Sequence, residues 1–219
     1  MHAMADKTEV VICAPFVFLP GLSQYCHALK LGAQNMSWAD KGALTGEISG
    51  QQLNQFNISY VIIGHSERRL YLGETNSVAN AKIIAALKAK ITPIVCLGSE
   101  EIGPQFAEVT KDLDESQLKK IVYVYEPTHA ISTMPNSRPE TGEEAEKAIR
   151  HIYELLEHRI GKSAHMLRVL YGGTVNKTNV AEYAKFSKID GALVGAASLD
   201  SENFWEVVKE FNRESVHHE

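Results

Sequence analysis

Seven short apolar runs recur through the chain, and a stretch with helical periodicity separates each from the next. They begin near residues 10, 31, 60, 91, 121, 167 and 191. The clearest are Val10-Val11-Ile12-Cys13-Ala14, Tyr60-Val61-Ile62-Ile63 and Ile121-Val122-Tyr123-Val124-Tyr125. Runs that are apolar on both faces read as strands buried from both sides, the mark of a parallel sheet covered by helices. Strict alternation of strand and helix implies the same arrangement, with the helices outside. An open doubly wound sheet and a closed barrel both satisfy it. Neither a linker nor a change of texture interrupts the series, so residues 1–219 read as one α/β domain, a length normal for a single α/β barrel.

The helical stretches differ in strength. A helix is expected between Thr75 and Lys90, with Val78, Ala81, Ile84 and Ala85 on its apolar face. A longer one follows Thr141, which forms a capping box with Glu144 and leads into the stripe Ala145, Ala148, Ile149, Ile152, Leu155 and Leu156. Residues 105–119 read as a single weaker helix. Shorter helices are expected from Pro20 to about His27, near 51–56 and near 177–185. Phe204, Val207, Val208 and Phe211 line a closing helix. Long loops run over 35–49 and 128–140, and loops of that length are usually functional. The charged stretch Gly64-His65-Ser66-Glu67-Arg68-Arg69 reads as a strand-to-helix connection, with helical pattern starting some ten residues later.

Composition removes several classes of function. The net charge is −5 with no basic stripe, which argues against a nucleic-acid partner. No apolar run approaches the roughly 20 residues of a membrane span. Asp6, Lys7 and Glu9 break up the early apolar positions, so no signal-peptide pattern is present. Three scattered cysteines, Cys13, Cys26 and Cys96, fit a reducing cytoplasm and offer no metal-ligand spacing.

The polar residues at strand ends favour the barrel. The C-terminal ends of the runs carry Gln34-Asn35, His65, Glu126, Gly172-Gly173 and Gly195, and barrels of this kind place their active sites at those ends. His65, Glu126, Gly172 and Gly195 are expected to converge on one mouth. Glu126 closes an otherwise apolar strand and is followed by Pro127. It is either a structural cap or a functional carboxylate, as general base or metal ligand. Metal is the weaker option, because no second carboxylate lies at ligand spacing. A neutral His65 can donate to a substrate oxygen, and a Glu with a neutral His suits moving a proton beside a carbonyl. Gly172-Gly173 and Gly195-Ala196-Ala197-Ser198 suit a phosphate held by backbone N–H groups, where small residues permit close approach. No cofactor is called for.

The strings GHSERR, YEP, YGGT and LVGAASL resemble, in order and in spacing, those of the triosephosphate isomerases. AQN followed by GALTGEIS resembles the long third loop of that family, and the likeness spans about residues 9 to 212. The resemblance implies a triosephosphate-isomerase-type (β/α) barrel, of which seven βα units are recognisable here. It implies a dimeric cytoplasmic enzyme of glycolysis and gluconeogenesis, interconverting dihydroxyacetone phosphate and glyceraldehyde 3-phosphate through an enediol without cofactor or metal. Position by position, Glu126 matches the base, His65 the electrophile and Glu67 the acidic residue after it. Pro127, Thr128, His129, Ala130, Ile131 and Thr133 fall in the loop that closes over the substrate. Ser132, Gly172, Gly173, Thr174, Gly195 and Ala196 match phosphate-binding positions, and Tyr171 a tyrosine that holds the loop closed. Thr45, Gly46 and Glu47 match the dimer-contact loop.

The departures bear on activity. The family opens with a strand carrying Asn and Lys and then a helix, whereas this chain starts at what resembles the second strand. The strand-end Lys therefore has no counterpart, Lys7 lying before the first run. His129-Ala130-Ile131-Ser132-Thr133-Met134 stands where the family has Trp-Ala-Ile-Gly-Thr-Gly, and Ala196 where a second Gly is usual. The expectation is an isomerase of impaired activity. The alternatives are an inactive barrel homologue or fragment, or a protein that binds a phosphorylated ligand.

Overall fold

A computed structural model describes residues 8–26, 29–98, 101–130 and 138–214. The chain divides into two compact units. The first comprises residues 10–96 and 104–122, the second residues 1–9, 97–103 and 123–219.

In the first unit four parallel strands pair in sequence order. They are β1 (Val11–Ala14), β2 (Lys30–Ala33), β3 (Tyr60–Ile63) and β4 (Thr92–Gly98). The registers set Cys13 beside Gly32, Gly32 beside Tyr60 and Tyr60 beside Thr92. Every residue of β3 is buried, as its unbroken apolar run requires. Between the strands lie α1 (Leu19–Tyr25), α2 (Gly50–Asn54), α3 (Ser66–Leu72) and α4 (Asn76–Lys88). Ser49 and Gln52 form a capping box at α2, and the Thr75 hydroxyl accepts from Val78 N at the start of α4. Two helices, α5 (Ile102–Thr110) and α6 (Glu115–Leu118), replace the single helix expected over 105–119. Asp114 breaks it by capping α6, taking Gln117 N on its carboxylate.

Two sequence expectations shift here. Helix begins at Ser66, directly after His65, because His65 itself caps it. The stripe of α4 is also rotated. Val78, Ala81 and Ile84 are half-buried, while Ala79, Asn80, Lys82, Ile83, Ala85 and Ala86 are buried. A buried lysine and asparagine inside the covered face explain why apolar periodicity pointed slightly to one side.

The second unit holds β5 (Val122–Glu126), whose residues are all buried, and β6 (Val169–Tyr171), in parallel register with Tyr123 beside Val169. α7 (Gly142–Ile160) follows the predicted capping box of Thr141 and Glu144 and buries Ala145, Ile149, Ile152 and Leu156. α8 (Val180–Ala184) and α9 (Ser201–Glu214) complete it. Two strands come out shorter than their apolar runs. β6 starts only at Val169, because Leu167 still ends a 3-10 turn. Over 191–194 a single parallel bridge, Tyr171 to Ala192, stands in place of the seventh strand. A three-residue β6 offers that run few partners.

Candidate active site

The first unit contributes His65. Gly64 precedes it at φ +73, a left-handed conformation that favours glycine. A Cβ at Gly64 would also stand 2.8 Å from Arg69 Nη2. Arg69 Nε donates to the Gly64 carbonyl at 2.6 Å, and Arg69 Nη1 to Asn76 Oδ1 at 2.6 Å. The strand end is thus stapled to the two helices that follow. His65 Nδ1 accepts from the Glu67 backbone N–H at 3.4 Å. A ring nitrogen that accepts carries no proton, so the N–H of the neutral imidazole lies on Nε2. The Glu67 carboxylate stands 3.8 Å from Nδ1.

Behind His65 lies a buried ionic cluster that sequence reasoning missed. Glu74 Oε1 accepts from Gly64 N at 3.1 Å. Glu74 Oε2 accepts from Arg68 Nε and Lys82 Nζ, both at 2.6 Å. Lys82 Nζ also donates to Asn35 Oδ1 at 2.7 Å. Burial pushes the Glu74 carboxyl up, but the hydrogen bonds and charges of Lys82 and Arg68 outweigh that and hold it below its ordinary value. Burial draws the Lys82 ammonium down, and Glu74 only partly restores it. One signal could have exposed the cluster, a lysine falling among the apolar positions of α4.

In the same unit Thr45 and Gly46 are exposed and Glu47 is half-buried. Glu47 N donates to the Leu44 carbonyl at 3.0 Å, and Ser37 N to the Ile48 carbonyl at 2.8 Å, closing the loop at its base.

The second unit contributes Glu126, 2% exposed at the last position of β5. Gly172 lies against it. A Cβ at Gly172 would meet Val124 Cγ1 at 2.7 Å and Glu126 Cβ at 3.6 Å. A Cβ at Gly173 would collide with Tyr171 Oη at 2.2 Å. Both glycines are therefore demanded by packing next to the carboxylate, beyond any ligand they hold. Thr174 donates from N and Oγ1 to the Ala130 carbonyl, at 2.9 and 2.7 Å. It thereby fixes the 3-10 turn Thr128–Ala130 that follows Pro127. Gly195 caps a 3-10 turn over Ala196–Leu199, with nothing within 4 Å of a Cβ built on it. Open space there suits approach by a ligand rather than by protein. Ile131, Ser132 and Thr133 lie outside the described residues. Among the described residues no group of three His, Cys, Asp or Glu side chains is placed to hold a metal, and no helix is long and apolar enough to cross a membrane.

A parallel α/β protein with a buried carboxylate closing one strand and a histidine capping the helix after another carries candidate acid–base groups at strand ends, where parallel α/β barrels hold their sites. The triosephosphate isomerase family profile matches residues 1–211. A triosephosphate isomerase of Dictyoglomus turgidum is 40% identical over 218 residues, covering 93% of this chain and 86% of that protein. Those of Caldanaerobacter subterraneus and Clostridium tetani are each 42% identical, covering 92% of this chain and 86% and 84% of theirs. This chain belongs to the triosephosphate isomerase family, and its α/β fold is of the triosephosphate-isomerase barrel type.

Proposed function

We propose that the chain interconverts dihydroxyacetone phosphate and glyceraldehyde 3-phosphate through an enediol, in the cytoplasm. Glu126 takes the proton from one carbon and returns it to the neighbouring one. His65 donates from Nε2 to the substrate oxygen as charge develops on it, with Glu67 at its helix end. Backbone N–H groups at Gly173, Gly195 and Ala196, with Ser132, hold the phosphate, and the segment from Pro127 through Thr133 covers it; the Gly172 N–H and the Thr174 hydroxyl are taken by the Tyr125 and Ala130 carbonyls, at 2.8 and 2.7 Å. In this reading residues 1–219 form one barrel domain. The observation that carries it is the buried Glu126 carboxylate at the end of β5, with Gly172 packed closely against it.

The C-terminal ends of the described strands carry no lysine. Loss of one preorganised oxyanion donor costs roughly 100- to 1,000-fold in rate, so the polypeptide 1–219 assayed alone is expected to be slow. A coupled isomerase assay with Glu126→Gln as control tests the reading. Turnover that falls on the order of 100- to 10,000-fold in the variant supports it, that being the usual worth of a general base. Phosphate binding with turnover indifferent to Glu126 favours a binding protein, and neither property an inert scaffold.

Self-association through the Thr45-Gly46-Glu47 loop belongs to the same proposal. Val17, Phe18, Tyr71 and Leu72, all in the first unit, are 80%, 60%, 66% and 66% exposed, an apolar excess that suits an interface. Light scattering that shows a monomer at high concentration would rule it out.

A further inference from the structure

Gly64 stands between β3 and α3, and both of its backbone polar groups are held by charged side chains. The β3 ladder ends at Ile63, opposite Val95. At φ +73 the chain then turns out of the strand, so a regular ladder cannot take the Gly64 N–H and carbonyl. Glu74 Oε1 accepts from Gly64 N at 3.1 Å, and Arg69 Nε donates to the Gly64 carbonyl at 2.6 Å. Glu74 follows the left-handed Gly73 that ends α3, and its own N donates to the Arg68 carbonyl at 3.0 Å. Its second oxygen takes Arg68 Nε and Lys82 Nζ, and Lys82 reaches on to Asn35, just past β2. Glu74 and Lys82 are both buried, in a place where an ion pair adds little to stability over apolar packing. From its far side His65 is held by α3 alone, its ring accepting from Glu67 N and its carbonyl from Arg68 N and Arg69 N. The direction in which it leaves β3 is therefore set at Gly64.

We propose that Glu74 is a positioning residue for His65: with Arg69 it brackets the backbone of Gly64 and fixes the direction in which the imidazole leaves β3. The inference rests on His65 being the group that donates to the substrate oxygen in the proposed reaction. The left-handed turn and the Arg69 guanidinium, 2.8 Å from where a Cβ would stand, demand glycine at 64. Glycine is also the residue whose backbone resists displacement least. A turn that needs glycine directly before a reacting side chain leaves that side chain loosely aimed unless something else holds the backbone. The bracket does so with two charge-assisted bonds, each roughly twice as strong as a neutral one. The two oxygens of Glu74 then have separate duties. Oε1 aims His65, and Oε2 gathers the cations that allow the carboxylate to stay ionised where it is buried. An amide at 74 would keep the first duty and lose the second, whereas an alkyl side chain would lose both.

The test compares two double variants of the 219-residue chain, isotope-labelled, that differ only in the acceptor offered to Gly64 N. They are Glu74→Gln/Lys82→Met and Glu74→Leu/Lys82→Met. Both lose the carboxylate and the ammonium together, and Arg68, at 26% exposure, can turn to water. The kcat of the Leu protein should fall about ten- to a hundredfold below that of the Gln protein, the scale on which a small misplacement of a reacting group acts, with KM moving less than about twofold. The imidazole nitrogen resonances of His65 and the Glu67 amide should match wild type in the Gln protein and shift in the Leu protein. A merely structural carboxylate would lower the urea midpoint and leave those resonances in place. Identical His65 resonances in the two proteins, or equal kcat while His65→Ala abolishes turnover, would overturn the proposal. A second measurement uses the wild type alone. Its Gly64 amide should exchange with solvent as slowly as the amides of β3, and a Gly64 amide that exchanges like an exposed turn would overturn the bracket. Turnover insensitive to His65→Ala would instead defeat the assignment of the electrophile, and the His65 resonances would still decide whether the bracket aims the ring.

Discussion

Replacing Lys82 by Met should destabilise the first unit more than any surface change and should reveal what holds His65 in place. The Lys82 side chain is 2% exposed, as is that of Glu74. Met keeps the volume of the aliphatic stem and removes the ammonium, leaving Asn35 Oδ1 without its 2.7 Å donor and Glu74 Oε2 with Arg68 alone. Removing one partner of a buried pair costs about 3–5 kcal/mol, because the other charge is left stranded. Arg68, at 26% exposure, still reaches Glu74, so a loss near 3 kcal/mol is expected. That is a large share of the roughly 5–15 kcal/mol that holds a domain folded. The double variant Glu74→Gln/Lys82→Met removes the stranded charge and should recover about 1–3 kcal/mol of the loss. Urea unfolding of all four members of the cycle at pH 7 supplies the numbers. The pH dependence gives a second check. Glu74 is held below its ordinary carboxylate value of 4.5. Its contribution is therefore present above that value and lost as pH falls through the lower folded one. The gap between wild type and Lys82→Met should close in acid. A Lys82→Met protein within 1 kcal/mol of wild type at pH 7, or a double variant no more stable than the single, would refute the reasoning.

Glu140→Gln should melt higher than wild type at pH 8 and no higher at pH 4. Burial raises the folded carboxyl, so its contribution is present at low pH and lost as pH rises through the folded value, while the amide never ionises; scanning calorimetry should read about 2–4 °C for each kcal/mol. Gly173→Ala should cost about 1–3 kcal/mol of overpacking, since the new Cβ meets Tyr171 Oη at 2.2 Å and that ring is stacked on Tyr183 at 4.4 Å with nowhere to retreat. Gly195→Ala, with nothing within 4 Å of its Cβ, should leave the urea midpoint unchanged and so separates packing from ligand contact in the glycine turns.

What could be read from the sequence follows the physics of each element. β3 and β5 were legible because strands buried on both faces need unbroken apolar runs, and Tyr60–Ile63 and Val122–Tyr125 supply them. The capping boxes at Thr141 and the cap at Thr75 were legible because their chemistry is local. α3 was not, since Leu70, Tyr71 and Leu72 are exposed and give no buried stripe; its start depends on His65 acting as a cap, an unusual role for that side chain. The break between α5 and α6 turned on one aspartate preferring a cap to a helix interior. Of the candidate site, Glu126 and His65 stood out as polar residues ending apolar strands. Glu74 and Glu140 did not, because a carboxylate on a connecting segment looks solvated until its partners arrive from elsewhere in the chain.

Those two carboxylates do similar work with different reserves of charge. Each is buried, and each takes a donor from the residue next to a strand end, Gly64 N for Glu74 and the Tyr125 hydroxyl for Glu140. Glu74 meets two cations, Arg68 and Lys82, each at 2.6 Å, and together they hold its carboxyl below the ordinary value. Glu140 meets a single half-exposed histidine at 2.9 Å. The same desolvation that Glu74 overcomes leaves Glu140 with its carboxyl pushed up. The support behind His65 is therefore a carboxylate that two cations compensate, and the support beside Glu126 is one whose burial is left uncompensated. A second cation should transfer the property: His129→Arg places a guanidinium beside Glu140 and should bring its raised carboxyl down, read by NMR titration of the Glu140 side chain, and a carboxyl that stays where it was would refute the account.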